Sequence, residues 1–483
     1  MSKQSKIFML TLAVLSLSLR GMPQTITFDQ LPIGKGVVKN SVPRFIGYDG
    51  QNLVLLQRTG RLKSHLELVR YNSSLQEQQR IPLNKDKGHT CHGGYINGNY
   101  IDLLQSVNTG NGLHVYRDRR SLQTLQTVDT SLTLARFAGE KDDFFSFSTS
   151  VSPNGKLLAG VSISKRIAQE PEMKIGLYDH QLEEYWTQTI ACVNASNVSV
   201  TDQGDIILYS LYDKGECHFT ILDGEETKNI KFKLPDSDPI IERTLLRYGN
   251  GNILIATAVQ QENHLIMPAG SNIDRVDIYC YNIQKKKLSV TRHPFTLTEV
   301  NRLTNSREDK KQNHSWVQFG NICQTLSDST GAYLILDQFW STSTNNVITE
   351  IHRMGMMVLR VDSNGNILWS TAKRLSNNTA WNKSDFIAYR WLPTPTGIML
   401  AWVDHLDNAT LPMGKPVKAF TLFKHPSALN VWSLTSDGHE DQSFIELNRQ
   451  VSAGAAHCLD TPGQFIVLLT NGRKDQLTTI KFY

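Results

Sequence analysis

The sequence predicts an all-β fold, and three observations carry the prediction. First, a turn rich in Gly, Asn or Asp followed by a six-to-eight-residue apolar run recurs eight times in the 483 residues. Second, each run is followed by a further strand, and long helical patterns are missing. Third, the runs are too apolar for half-exposed strands and read as strands covered on both faces. Sheets stacked side by side around an axis supply that cover. The reading is therefore a β-propeller of eight four-stranded blades, with seven as the alternative if one copy is an insertion.

The apolar runs begin at Asn52 (NLVLLQR), Asn99, Lys156, Asp205, Asn252, Ala332, Gly397 and Gln464. The turns before them, such as YDGQ, INGN and GNGN, are hairpin turns in which Gly or Asn takes positive φ at little steric cost. The strands that follow start at Leu66, Leu113, Lys174, Cys217, Val276, Met356, Lys418 (KAFTLFK) and Leu477, often ending in an aromatic residue or Asp. Seven of the eight are followed by a weaker strand, such as LEEYWTQTI or NILWSTAKRL, whereas the last is cut short at Tyr483. Residues 26–33 (ITFDQLPI) have no partner at their own end of the chain. Beside residues 477–483 they would supply the missing strand and close the ring, which removes exposed sheet edges.

The segment VLRVDSNGNILWSTA at 358–372 resembles one blade of the PQQ-like propellers, whose blades often read D-x-x-x-G-x-x-x-W. Asp362 and Trp369 fit this pattern loosely, and Tyr185-Trp186 after Asp179 echo it. The resemblance covers the mature chain as architecture and one or two blades as motif; it implies a fold and no activity. A WD40 signature and a repeated Asp-box are both missing from the sequence.

The first 24 residues read as a signal peptide: Lys3 and Lys6, then an apolar run over 7–19, then small residues at Ser16, Ser18 and Gly21. That run is shorter than the ~20 residues a membrane span needs. No other segment is long enough, and no Cys follows the run to carry a lipid anchor. Residues 25–483 are then a single propeller domain, secreted or periplasmic, of bacterial character and expected to be a monomer. Net charge is +5, and without Lys3, Lys6 and Arg20 of the leader it is +2. That is too weak for a nucleic-acid surface. Lys285, Lys286 and Lys287 read as a solvated hairpin tip. The six Cys form no CxxC pair and no regular framework; Cys192 and Cys217 are the pair whose positions bring them toward disulfide range. Seven Asn-x-Ser/Thr sequons occur, among them Asn408, and are not counted as glycosylation sites in a bacterial chain.

Alternating strand direction puts the tight turns between first and second strands on one face. The long segments emerge on the other, at 129–145, 163–173, 260–275, 293–317, 340–355, 373–386, 405–417 and 436–452. Loops on a rigid scaffold concentrate binding residues, so that face is the expected site. His89, Cys91 and His92 are spaced too tightly to share one metal, and no metal site is expected from them; the sequence leaves any cofactor unknown. The leading reading is a module binding a glycan, peptide or protein partner through His89, Trp316, Trp340, Asp385 and Arg390. The alternative is a polysaccharide lyase or glycoside hydrolase with His92, Arg243, Tyr389 and His457 in a central pocket. Trp186, Trp369 and Trp432 are expected to pack in outer strands, and Asp404 and His405 to lie in a neighbouring loop.

Overall fold

The computed structural model describes residues 44–59, 65–74, 76–83, 89–108, 112–138, 144–153, 156–165, 172–179, 181–191, 193, 195–212, 215–235, 240–260, 271–303, 317–319, 321–328, 330–344, 347–380, 390–394, 396–411, 417–418, 420–421, 425–447, 452–458, 464–470 and 475–481. The chain is an all-β propeller. Blade 1 has the pattern the others repeat: an inner strand Arg44–Tyr48, a second Asn52–Thr59, a third His65–Asn72 and an outer Glu77–Pro82, hydrogen-bonded in that order. Inner strands of consecutive sheets touch, as Phe144–Val151 of blade 3 touches Asn197–Val200 of blade 4. The first strands therefore line the axis.

The core is divided among the gaps between blades. Six buried apolar clusters each draw on two consecutive blades, one for every interface from blade 1 to blade 7. This is why the second strands read as unbroken apolar runs: Leu53 to Gln57 are all buried, with neighbours on both sides. Outer strands lack one neighbour and alternate, as Thr227–Lys233 does.

Seven sheets are complete blades of four or five strands, while the last has three: Ser452–Cys458, Gln464–Thr470 and Asp475–Lys481. The expectation of eight four-stranded blades is corrected to seven. Residues 26–33, expected to complete that sheet, lie outside the described residues, as do residues 1–24, expected to be a signal peptide.

Three further readings are corrected. KAFTLFK is not the third strand of blade 7; that strand is Ser427–Thr435, and Phe420–Thr421 instead pairs in parallel with Asn377 and Asn378 of blade 6. Trp432 thus sits in a third strand, 2% exposed, rather than an outer one. Parts of the long segments are regular structure. Thr133–Ala138 returns to the third strand of blade 2. Gly331–Thr344, Val347–Asp362 and Ile367–Ala380 extend blade 6 as a three-stranded arm. Leu297–Leu303 is a helix closed by a capping box, Thr296 Oγ1 accepting from Glu299 N at 3.2 Å and Glu299 Oε2 accepting from Thr296 N at 2.6 Å.

Two sequence features acquire structural reasons. Asp or Asn closing a third strand caps the next turn: Asp362 Oδ1 accepts from Asn364 N and Asn366 N, both at 2.8 Å, and Asp179 and Asp223 do the same in their blades. Seven residues after Asp179 and Asp362 stand Trp186 and Trp369, each packed on a glycine in the following blade's outer turn. A Cβ on Gly224 would lie 2.8 Å from the Trp186 ring, and one on Gly438 would lie 2.9 Å from the Trp369 ring. Both glycines have positive φ, 93° and 89°. Trp369 Nε1 also donates to Ser436 O at 3.0 Å.

Candidate functional site

The site begins with the tight turns. At the axial ends of blades 3 to 6 the inner strands finish at Val151, Val200, Gly249 and Ser327. The turns that follow are held locally. Ser152 Oγ accepts from Leu157 N at 3.0 Å, and Thr201 Oγ1 accepts from Asp205 N at 3.1 Å. Asp328 Oδ1 accepts from Thr330 N and Gly331 N, both at 2.8 Å. In blade 5 the turn is Asn250-Gly251 with φ of 53° and 71°, the left-handed pair that a two-residue hairpin of this hand requires.

These four ends enclose a cavity of about 430 Å³. Its polar wall includes Ser199, Thr201, Gln203, Arg247, Tyr248 and Ser327, with Asp202 and Asp328 beside them; Leu245, Leu246 and Leu326 form the apolar part. The volume lies within the roughly 300–1,000 Å³ usual for small-molecule sites. The cavity opens on the tight-turn face, opposite the long segments expected to carry the site.

Its electrostatics centre on two arginines and one aspartate. Arg247 follows a register break between Leu245 and Arg247, is 9% exposed, and packs over Gly249. Burial lowers its pKa, with Asp328 opposing that effect and Arg360 adding to it. Arg360, 1% exposed in the third strand of blade 6, donates from Nη2 to Asp328 Oδ1 at 3.0 Å and to Thr330 Oγ1 at 2.6 Å. Its guanidinium carbon stands 4.3 Å from the centre of the Tyr333 ring. Burial raises the pKa of Asp328, and the bonds from Arg360 and Thr330 reverse that to a net lowering.

The described residues among those expected from the sequence lie in other places. His92 is the extra residue of a bulge between Cys91 and Gly93. Its Nε2 lies 2.7 Å from Ser106 Oγ, and its ring meets Phe147 of blade 3 edge-on at 4.8 Å. His89 opens the same strand, half-buried. Arg243 donates from Nη1 to Tyr212 O at 2.6 Å, joining blades 5 and 4. Arg390 opens the inner strand of blade 7, and Trp340 lies on the backbone of the blade 6 arm. His457 is the penultimate residue of its strand, at the tight-turn end, whereas His89, His92 and Arg243 lie toward the opposite ends of theirs. Trp316, Asp385 and Tyr389 lie outside the described residues. Of the expected residues that are described, none is in the wall of this cavity.

Other sequence candidates resolve as structural. Cys217 is a free, buried thiol whose Sγ donates to Gly215 O at 3.5 Å, so it is not paired; Cys192 lies outside the described residues. Asn408 is buried, donating to Asp404 Oδ1 at 3.0 Å and to Lys418 O at 2.7 Å, which leaves this sequon no acceptor role. Asp404 and His405 are the last two residues of a strand rather than part of a loop. Among the described residues no group of three or more His, Cys, Asp or Glu is placed to hold a metal ion, and no helix is long and apolar enough to cross a membrane.

No protein-family model matches the chain, and no curated protein does. Solved propellers resemble it distantly. The Dos1 propeller is 10% identical with a TM-score of 0.39, over 93% of this chain and 95% of that one. The WD40 domain of SCAP from fission yeast is 8% identical with a TM-score of 0.37, over 95% and 94%. Prolyl oligopeptidase B from Galerina marginata is 11% identical with a TM-score of 0.37, over 88% of this chain and 55% of that one. These likenesses are of architecture.

Proposed function

We propose that this chain is a ligand-binding propeller whose seat is the cavity at the tight-turn mouth of blades 3 to 6. The observation that carries this reading is the convergence of four inner-strand ends on one polar-lined space of about 430 Å³ with a nine-tenths-buried arginine in its wall. Residues on rigid strand ends hold fixed positions, so little ordering is needed on binding. Ser199, Gln203 and Ser327 offer hydroxyl and amide groups, a set suited to a small polyol.

The long-segment face is a second surface in this proposal, for a glycan, peptide or protein partner. Its support is the blade 6 arm, which runs past the blade body and is widened by Phe420–Thr421 in parallel. The leader over 1–24 completes the proposal as an export signal. N-terminal sequencing of the exported protein is expected to begin between residues 17 and 25.

A thermal-unfolding screen against mono- and disaccharides, neutral and acidic, tests the cavity. A ligand that binds the folded state raises the midpoint as its concentration passes Kd. Ser327→Trp, which fills the cavity, is expected to abolish that rise. A rise that survives Ser327→Trp would remove the cavity from the account.

A further inference from the structure

We infer that the cavity takes a polyol bearing an apolar substituent, an aromatic ring or a short branched alkyl group, which enters first and seats against Val151 above Leu245, Leu246 and Leu326. This rests on the ligand-binding reading above and names the class of that ligand.

The wall of the cavity is layered by position along the strands. The inner strands run toward the tight-turn face, so a residue before the end of a strand lies deeper than the turn that follows it. Leu245 and Leu246 precede the end of their strand at Gly249, and Leu326 precedes Ser327, the end of its own. All three are buried. Ser152, Asp202 and Gln203 belong to the turns that follow the strand ends at Val151 and Val200. The deeper level is thus largely apolar, interrupted by Ser199 and Arg247, and the rim is polar. A ligand matched to this layering has an apolar end to lead and a polar end to stay at the mouth.

Val151 sets the seat. It ends the inner strand of blade 3 and is 58% exposed, yet it stands in the wall of a concave space. A lone exposed apolar side chain on a convex surface is ordinary. In a cavity it gives a ligand apolar surface that can be covered completely, with more beneath it. Among the described residues the other large exposed apolar side chains, such as Tyr185 and Leu297, lie outside this wall. The rim contributes orientation more than affinity. Ser152, Thr201 and Asp328 already accept hydrogen bonds from their own turns. A neutral bond to a ligand, exchanged for one to water, has a small net effect. Apolar surface withdrawn from water has a gain that grows with the area covered.

Calorimetric titration of the full chain with methyl β-glucoside and phenyl β-glucoside tests this. The phenyl glucoside is expected to bind at least about tenfold tighter, the effect of burying a few ring carbons. It is also expected to show the more negative heat-capacity change. Val151→Ser should remove most of the preference, and Ser327→Trp should abolish binding of both. If Val151→Ser does not fold, the heat-capacity difference and Ser327→Trp decide the matter. Equal affinity for the two glucosides overturns the apolar seat and leaves the cavity reading intact. A preference that survives Val151→Ser also overturns the seat. Failure of both glucosides to bind overturns both readings.

Discussion

Asp404 is a carboxyl held where water cannot reach it, 3% exposed at the end of the second strand of blade 7. Burial raises its pKa to about 7, against the bonds from His405 N and Asn408 and the field of Lys373. A carboxyl with a raised folded pKa favours the fold while protonated. That contribution is full below the ordinary carboxyl range near 3.8 and is lost as pH climbs through about 7. Its size is on the order of a few kcal/mol. Asp404→Asn is expected to flatten the stability profile over this window and to be more stable than the parent above pH 7. Urea titrations from pH 4 to 8 check this, and an unchanged slope would contradict it. Glu299 is the opposite case. Burial alone would raise its pKa, but bonds from His293, Ser370 and Thr296 hold it at about 2. Its contribution is present at neutral pH and fades as acid brings the solution from the ordinary carboxyl range down toward 2.

At the scale of elements, the tryptophan-on-glycine contact locks one blade to the next. Gly438 combines two constraints, a φ of 89° and a Trp369 ring 2.9 Å from any Cβ placed there. Gly50 has the first without the second: its φ is 92° and nothing lies within 4 Å of its Cβ position. Gly50→Ala should cost about 1 kcal/mol, the backbone penalty alone. Gly438→Ala should cost about 1–3 kcal/mol more, since the ring must shift within a packed interface. Equal losses in the two melting curves would show that the contact contributes nothing. The same scale explains the misread strand of blade 7. KAFTLFK has the aromatic and apolar content of a strand, while SALNVWSLT breaks its apolar run with Asn430. That Asn is buried, 2% exposed, because the blade covers both faces of the strand.

For the whole molecule, the repeat was legible because the second strands of blades 1 to 7 are buried on two sides, which leaves an apolar run wherever one occurs. The blade count was less so, because a terminal sheet with three strands announces itself with the same turn and run as a full blade. The proposed site was not legible. Ser152, Thr201 and Asp328 are indistinguishable in sequence from ordinary turn residues, and they also serve as such. Arg247 is one arginine after a bulge. Their meeting at one mouth follows from radial stacking of blades whose inner strands end far apart in sequence, at Val151, Val200, Gly249 and Ser327, which no local spacing records. The signal that was present was positional: each lies at the junction of an inner strand and its tight turn, a place passed over because the longer segments lay on the other face. Hydrogen exchange of the full chain with and without phenyl β-glucoside tests the central claim most directly. Slowed exchange is predicted together at 151–153, 199–203, 245–248 and 326–328. Protection confined to the opposite face, at 133–138 or 340–355, would contradict it.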